Sequence, residues 1–111
     1  TRGVQVKLLV DAVALRNSSA ELKALAGTKN IQVKTVTIPP WSGGPLQYAR
    51  LIHSKYFTMD GERAWVGTEN WSESYFTACR NVGLILHSSE TTLQLDRIFD
   101  QVWNSAYAAA L

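Results

Sequence analysis

The sequence predicts an α/β fold, a mixed β-sheet flanked by helices, and three observations lead there. Short apolar, β-branched runs alternate with stretches of helical character, the connections between them are brief, and the longest helical pattern lies near the end of the chain. Strands that alternate with helices place those helices on the faces of a sheet.

Taken in order, Val4 to Val10 is a near-continuous apolar run ended by Asp11, the pattern of a buried strand. Ser18-Ser19-Ala20-Glu21 reads as a capping box that opens a helix to about Ala26, closed by Gly27. Ile31, Val33, Val36 and Ile38 belong to a β-branched run stopped by Pro39-Pro40, and Trp41-Ser42-Gly43-Gly44-Pro45 is a loop by composition. Ile52 to Met59 and Arg63 to Gly67 form a hairpin across Asp60-Gly61, a dipeptide suited to a tight turn. Val82 to His87 is a further apolar strand. Glu90 to about Ala108 carries Leu93, Ile98, Val102 and Trp103 at helical spacing. The predicted order is β-α-β-ββ-β-α, in a single domain over residues 1–111.

Composition bounds the function. With 111 residues, 46% of them hydrophobic, the chain can build one core and is not disordered. No apolar run is long enough to span a bilayer as a helix. A net charge of +2 with scattered Lys and Arg does not by itself make a nucleic-acid-binding surface. The single cysteine, Cys79, excludes an internal disulfide and reads as a buried small hydrophobe. Asn17-Ser18-Ser19 and Asn70-Trp71-Ser72 fit the glycosylation sequon, which carries weight only in a secreted protein.

The stretch from His53 to Asn70 carries the chemistry. His53 and Lys55 are two residues apart, so on a strand they project from one face, and Asn70 can return to that face after the turn. A neutral imidazole can attack phosphorus or move a proton near neutral pH. An ammonium and an amide can orient non-bridging oxygens and neutralise charge that builds in the transition state. Taken singly, a strand histidine is more often structural and a strand lysine a solvated edge charge. Asp60-Gly61 is also the ordinary signature of a hairpin turn, which gives Asp60 a structural role.

All six residues together, His53, Lys55, Asp60, Gly67, Thr68 and Asn70, resemble the motif of the phospholipase D superfamily: His-x-Lys, four residues, Asp, six residues, Gly-Ser/Thr-x-Asn. The resemblance implies a phosphodiesterase acting without metal or other cofactor. It makes His53, Lys55 and Asn70 catalytic, with Asp60, Gly67 and Thr68 supporting, and Lys55, Asn70 and Trp71 contacting a phosphodiester substrate, either a phospholipid or single-stranded nucleic acid. Family active sites combine two such motifs. One histidine attacks phosphorus and forms a phosphohistidine, the other protonates the leaving oxygen, and water then hydrolyses the intermediate. One motif here implies a second phospholipase D-like lobe or a homodimer partner.

The phrase Thr1-Arg2-Gly3-Val4-Gln5-Val6 resembles the interior of such a lobe, so the expectation is a truncated, carboxy-terminal lobe lacking its first strand and helix. The stretch Gly67-Thr68-Glu69-Asn70-Trp71-Ser72-Glu73-Ser74-Tyr75-Phe76 resembles the branch that holds exonuclease-like phospholipase D proteins and poxvirus envelope relatives. There Trp71, Tyr75 and Phe76 either pack a loop on the sheet or meet a base or lipid. One position departs from the family. Where many members carry a Glu that orients the histidine, this chain has Asn81, with Glu69 and Glu73 as nearby carboxylates more simply read as exposed loop charges. His87 has no Lys two residues on and reads as a strand-end residue. The competing class is a non-catalytic lobe that keeps the motif for phosphate binding or assembly.

Overall fold

A computed structural model describes residues 3–44, 46–47 and 49–111. Thr1 and Arg2 of the opening phrase and Pro45 of the glycine-rich loop lie outside them. The chain divides into two units, Thr1–His53 with Val102–Leu111, and Ser54–Gln101.

The first unit is a β-α-β crossover with one added strand. Strand β1 (Val6–Asp11) leads through a 3-10 turn, Ala12–Ala14, into helix α1 (Leu15–Ala26), and strand β2 (Ile31–Val36) returns parallel to β1. The register runs from Val6↔Ile31 to Asp11↔Val36. A parallel pair needs such a crossover, because no tight turn can join strands pointing the same way. Strand β6 (Ala108–Ala110) pairs antiparallel with β2, giving the sheet order β1-β2-β6. The central strand is accordingly the buried one: Val33 and Val36 are 4% and 1% exposed, and α1 adds Leu22. Trp103 is 5% exposed, its backbone carbonyl accepts from Lys34 Nζ at 2.9 Å, and the same ammonium lies 4.7 Å from its ring centroid. A buried indole gripped in this way is an anchor whose loss costs roughly 3–5 kcal/mol.

Helix α1 begins earlier than its capping box indicates. Ser18 sits inside it at φ −135°, ψ 31°, so a kink separates a first turn from the segment the capping box opens. Strand β6 was not expected. Its three alanines read as the end of the preceding helix, since Ala has the highest helix propensity, and long-range pairing with β2 overrides it. The helix α3 (Ser89–Trp103) stops five residues before Ala108.

The second unit is an antiparallel meander covered by α3. Strands β3 (Tyr56–Met59), β4 (Arg63–Gly67) and β5 (Gly83–His87) lie in the order β3-β4-β5, with the short helix α2 (Glu73–Thr77) between β4 and β5. The hairpin turn forms where expected: Asp60 and Gly61 both have left-handed φ, 53° and 69°, and Glu62 N–H closes it on the Met59 carbonyl at 3.0 Å. The strands therefore divide between a mixed sheet and an antiparallel one, each with helical elements in its own unit.

Cross-strand rows define the two faces of the meander. Thr58, Ala64 and Leu86 form one row, in which Ala64 is fully buried and Thr58 Oγ1 donates to Asp96 Oδ1 on α3 at 2.5 Å. Thr92, also fully buried, donates its hydroxyl to the Ser88 carbonyl at 2.7 Å. Of the apolar positions expected to face inward on α3, Trp103 is buried and Val102 half-buried, but two differ. Leu93 and Ile98 are 47% and 52% exposed, because the inward face is laced with Thr92 and Asp96 instead. The row on the other face holds Phe57, Trp65 and Ile85. Strand β5 is an edge strand, with Leu84 and Ile85 both exposed although they point to opposite faces. Cys79 is exposed after α2, not buried, since the connection from α2 to β5 runs over the surface.

Candidate functional site

The chain approaches the motif under restraint. Arg50 has φ 60°, a left-handed conformation costly for a residue with a side chain, and its Nε donates to the Pro39 carbonyl at 2.9 Å. Two residues on, Ile52 N–H donates to Asp11 Oδ2 at 2.8 Å. The backbone at Ile52 thus bonds a side chain, and the expected strand over Ile52 to Met59 starts only at Tyr56. His53 follows Ile52 as the last residue of the first unit and is exposed.

In the second unit, Lys55 extends the hairpin ladder by one bond: its carbonyl accepts Gly67 N–H at 3.1 Å, beyond the Tyr56↔Val66 pair. Its side chain is half-buried, and desolvation lowers its pKa from 10.5. A phosphate held beside the ammonium would offset that penalty, because opposite charge favours the charged form.

Gly67 is required by packing. A Cβ at this position would strike the Trp65 ring and the Glu69 carboxylate, which both fold over it, and a Cβ at its cross-strand partner Gly83 would strike the same indole. Thr68 ties the end of β4 to the start of β5. Its backbone N–H donates to the Val82 carbonyl at 3.1 Å, its Oγ1 accepts Val82 N–H at 3.2 Å, and the same hydroxyl donates to Asn81 Oδ1 at 3.2 Å. Asn81 in turn donates from Nδ2 to the Tyr75 carbonyl at 2.6 Å. Asn81 is therefore bound into the loop that carries the motif.

Asn70 is half-buried where that loop turns, and its carbonyl accepts Ser72 N–H at 2.8 Å. Trp71 is 69% exposed and meets Phe57 and Trp65 edge-on, with ring centroids 5.8 and 5.9 Å apart. The structure thus joins Lys55, Gly67 and Thr68 through β3, β4 and β5, with Asn70 and Trp71 directly after. Asp60 occupies the hairpin turn at the other end of β3 and β4. His87 is exposed at the end of β5, opposite Arg63.

Two features escaped the sequence reading. Asp11 reads only as the end of a strand, although its side chain reaches a donor 41 residues away. Glu69 reads as a loop charge, yet it is half-buried and its Oε2 is enclosed with no hydrogen-bond partner among the described residues. Among those residues no group of three or more His, Cys, Asp or Glu side chains is arranged to hold a metal ion. No helix described is long and apolar enough to cross a membrane.

Comparison with known proteins agrees with the motif. The family described as cardiolipin synthase, PLD-like domain, matches residues 1–103. Phospholipase D Z of Dictyostelium discoideum is 36% identical over 110 residues, covering 96% of this chain and 26% of the relative. The 5'-3' exonuclease PLD4 of Mus musculus is 34% identical over 128 residues, covering 99% of the chain and 25% of that protein. The virion nicking-joining enzyme of vaccinia virus is 32% identical over 119 residues, covering 99% and 28%. The chain spans about a quarter of the length of these relatives.

Proposed function

The chain belongs to the PLD-like family matched by its residues 1–103, and from that premise we propose that it is one lobe of a phosphodiesterase in which His53 is a reacting group. The observation that carries the reading is the complete motif, six residue types at their family offsets, on a loop and hairpin whose Gly67 and Thr68 are fixed by packing and hydrogen bonds. Relatives named as phospholipases D, exonucleases and a nicking-joining enzyme all point to phosphodiester chemistry.

In this reading an imidazole nitrogen of one motif histidine attacks phosphorus, and the phosphorus–oxygen bond to the leaving group breaks. The leaving oxygen takes its proton from the imidazolium of the second motif histidine, supplied by another lobe or a second copy. That histidine, now neutral, deprotonates a water that cleaves the phosphorus–nitrogen bond and regenerates the first imidazole. Lys55 and Asn70 hold the non-bridging oxygens as charge accumulates on them. Each step is served by side chains, so the rate should be insensitive to EDTA.

Because one lobe supplies one motif, activity must track assembly. A homogeneous monomer of this chain should be inactive toward phosphodiesters and gain activity on dimerisation or on joining a second lobe. Specific activity that stays constant on dilution of a strictly monomeric preparation would overturn the two-motif mechanism.

A further inference from the structure

We propose that Asp11 is a positioning residue for His53, fixing the backbone from which that side chain departs; the inference rests on the phosphodiesterase reading above. Asp11 ends β1, and in open α/β sheets the carboxyl ends of strands are where functional groups collect. Its two carboxylate oxygens go to different tasks. Oδ1 accepts Val13 N–H at 2.9 Å and caps the 3-10 turn. Oδ2 accepts Ile52 N–H at 2.8 Å.

The first bond is local and any short cap side chain could make it. The second needs a further acceptor and more reach, and it spans 41 residues to the position directly before His53. An ionised carboxylate only accepts hydrogen bonds, and those bonds are charge-assisted, so both amides are held more firmly than by a neutral cap. The clamp also has something to hold. Arg50, two residues earlier, keeps its left-handed φ of 60° while its side chain is tied to the Pro39 carbonyl. Both ends of the Arg50–Ile52 stretch are thus bound to other parts of the same unit, and the chain enters His53 from a fixed direction. Small displacements of a reacting group, on the order of 1 Å, can cost about 10²-fold in rate.

Asp11→Ser separates the two tasks, since serine can cap Val13 N–H but cannot reach Ile52. In the assembled, active protein, with bis(4-nitrophenyl) phosphate as substrate, Asp11→Ser should lower kcat by about 10- to 100-fold and leave KM within about twofold. Its Tm should fall by only several degrees, because the cap is kept while the bond to Ile52 N–H is lost. Hydrogen exchange at the Ile52 amide of the unmutated protein gives a second readout that does not depend on the variant folding. Slow exchange is expected there, and exchange at the rate of an open chain would overturn the clamp. His53→Ala in the same assay separates the two readings. If His53→Ala is inactive while Asp11→Ser turns over like wild type, the positioning role is overturned and the phosphodiesterase reading stands. If His53→Ala retains turnover, the phosphodiesterase reading fails and the positioning role falls with it.

Discussion

Thr68 Oγ1 donates to Asn81 Oδ1 at 3.2 Å while accepting the Val82 N–H at the same distance. One hydroxyl of the motif therefore joins the end of β4 to the start of β5, and it engages the side chain of Asn81. The threonine in Gly-Thr-x-Asn is, on this geometry, a fastener for the loop that presents Asn70. Thr68→Ser keeps the hydroxyl and should leave stability within about 0.5 kcal/mol of wild type. Thr68→Val removes a donor and an acceptor at an exposed site where water can partly substitute, and should cost roughly 0.5–1.5 kcal/mol. Urea denaturation of both variants makes the comparison, and equal midpoints would contradict it.

Lys55 separates stability from activity. Burial depresses its pKa, so the folded protein pays for the protonated form at pH values below the depressed pKa, and that penalty fades as pH rises toward 10.5. Lys55→Met keeps the stem and removes the charge. At neutral pH, phosphodiesterase activity in the assembled protein should fall by about 10² to 10³, the loss typical of a group that stabilises charge in the transition state. A Tm loss with unchanged activity would make Lys55 structural.

Tyr56 gives the fold an alkaline limit. Its pKa is raised from 10.0 first by burial and then by the Asp96 carboxylate, and its hydroxyl points to the Leu95 carbonyl at 3.4 Å. A raised pKa in the folded state means the stabilisation is fully present below about pH 10 and is lost as pH rises through the folded value. Absorbance at 295 nm should show a tyrosine ionisation displaced above pH 10. Tyr56→Phe should remove both that late step and its share of the alkaline loss of stability.

Much of this was legible in the chain because the signals were local. Asp60-Gly61 announced a turn with two left-handed residues, the apolar run before Asp11 announced a strand, and the motif offsets announced the family. What escaped depends on distant partners. Ala108–Ala110 is a strand only because β2 offers an edge, and alanines on their own read as helix. On α3, Thr92 is buried and bonds back to the Ser88 carbonyl while Asp96 takes the Thr58 hydroxyl, and Leu93 and Ile98, which periodicity assigns to the buried face, are exposed. In the site, Gly67 and Thr68 were recognisable by type, but the reason for them, the Trp65 indole and the Asn81 amide, lies across strands. The bond from Ile52 to Asp11 leaves no trace in sequence spacing, and the strand expected from Ile52 begins at Tyr56.

Reaction of His53 with a phosphodiester can be followed by rapid acid-free quench of the assembled protein during turnover of a labelled phosphodiester, with peptide mapping of the phosphorylated residue and parallel assay of His53→Ala. His53→Ala should abolish turnover while the protein stays folded. Any trapped label should be acid-labile and sit on a motif histidine, either His53 or its counterpart in the second lobe. Turnover retained by a folded His53→Ala protein, or label recovered on a serine, threonine or aspartate, would contradict that chemistry.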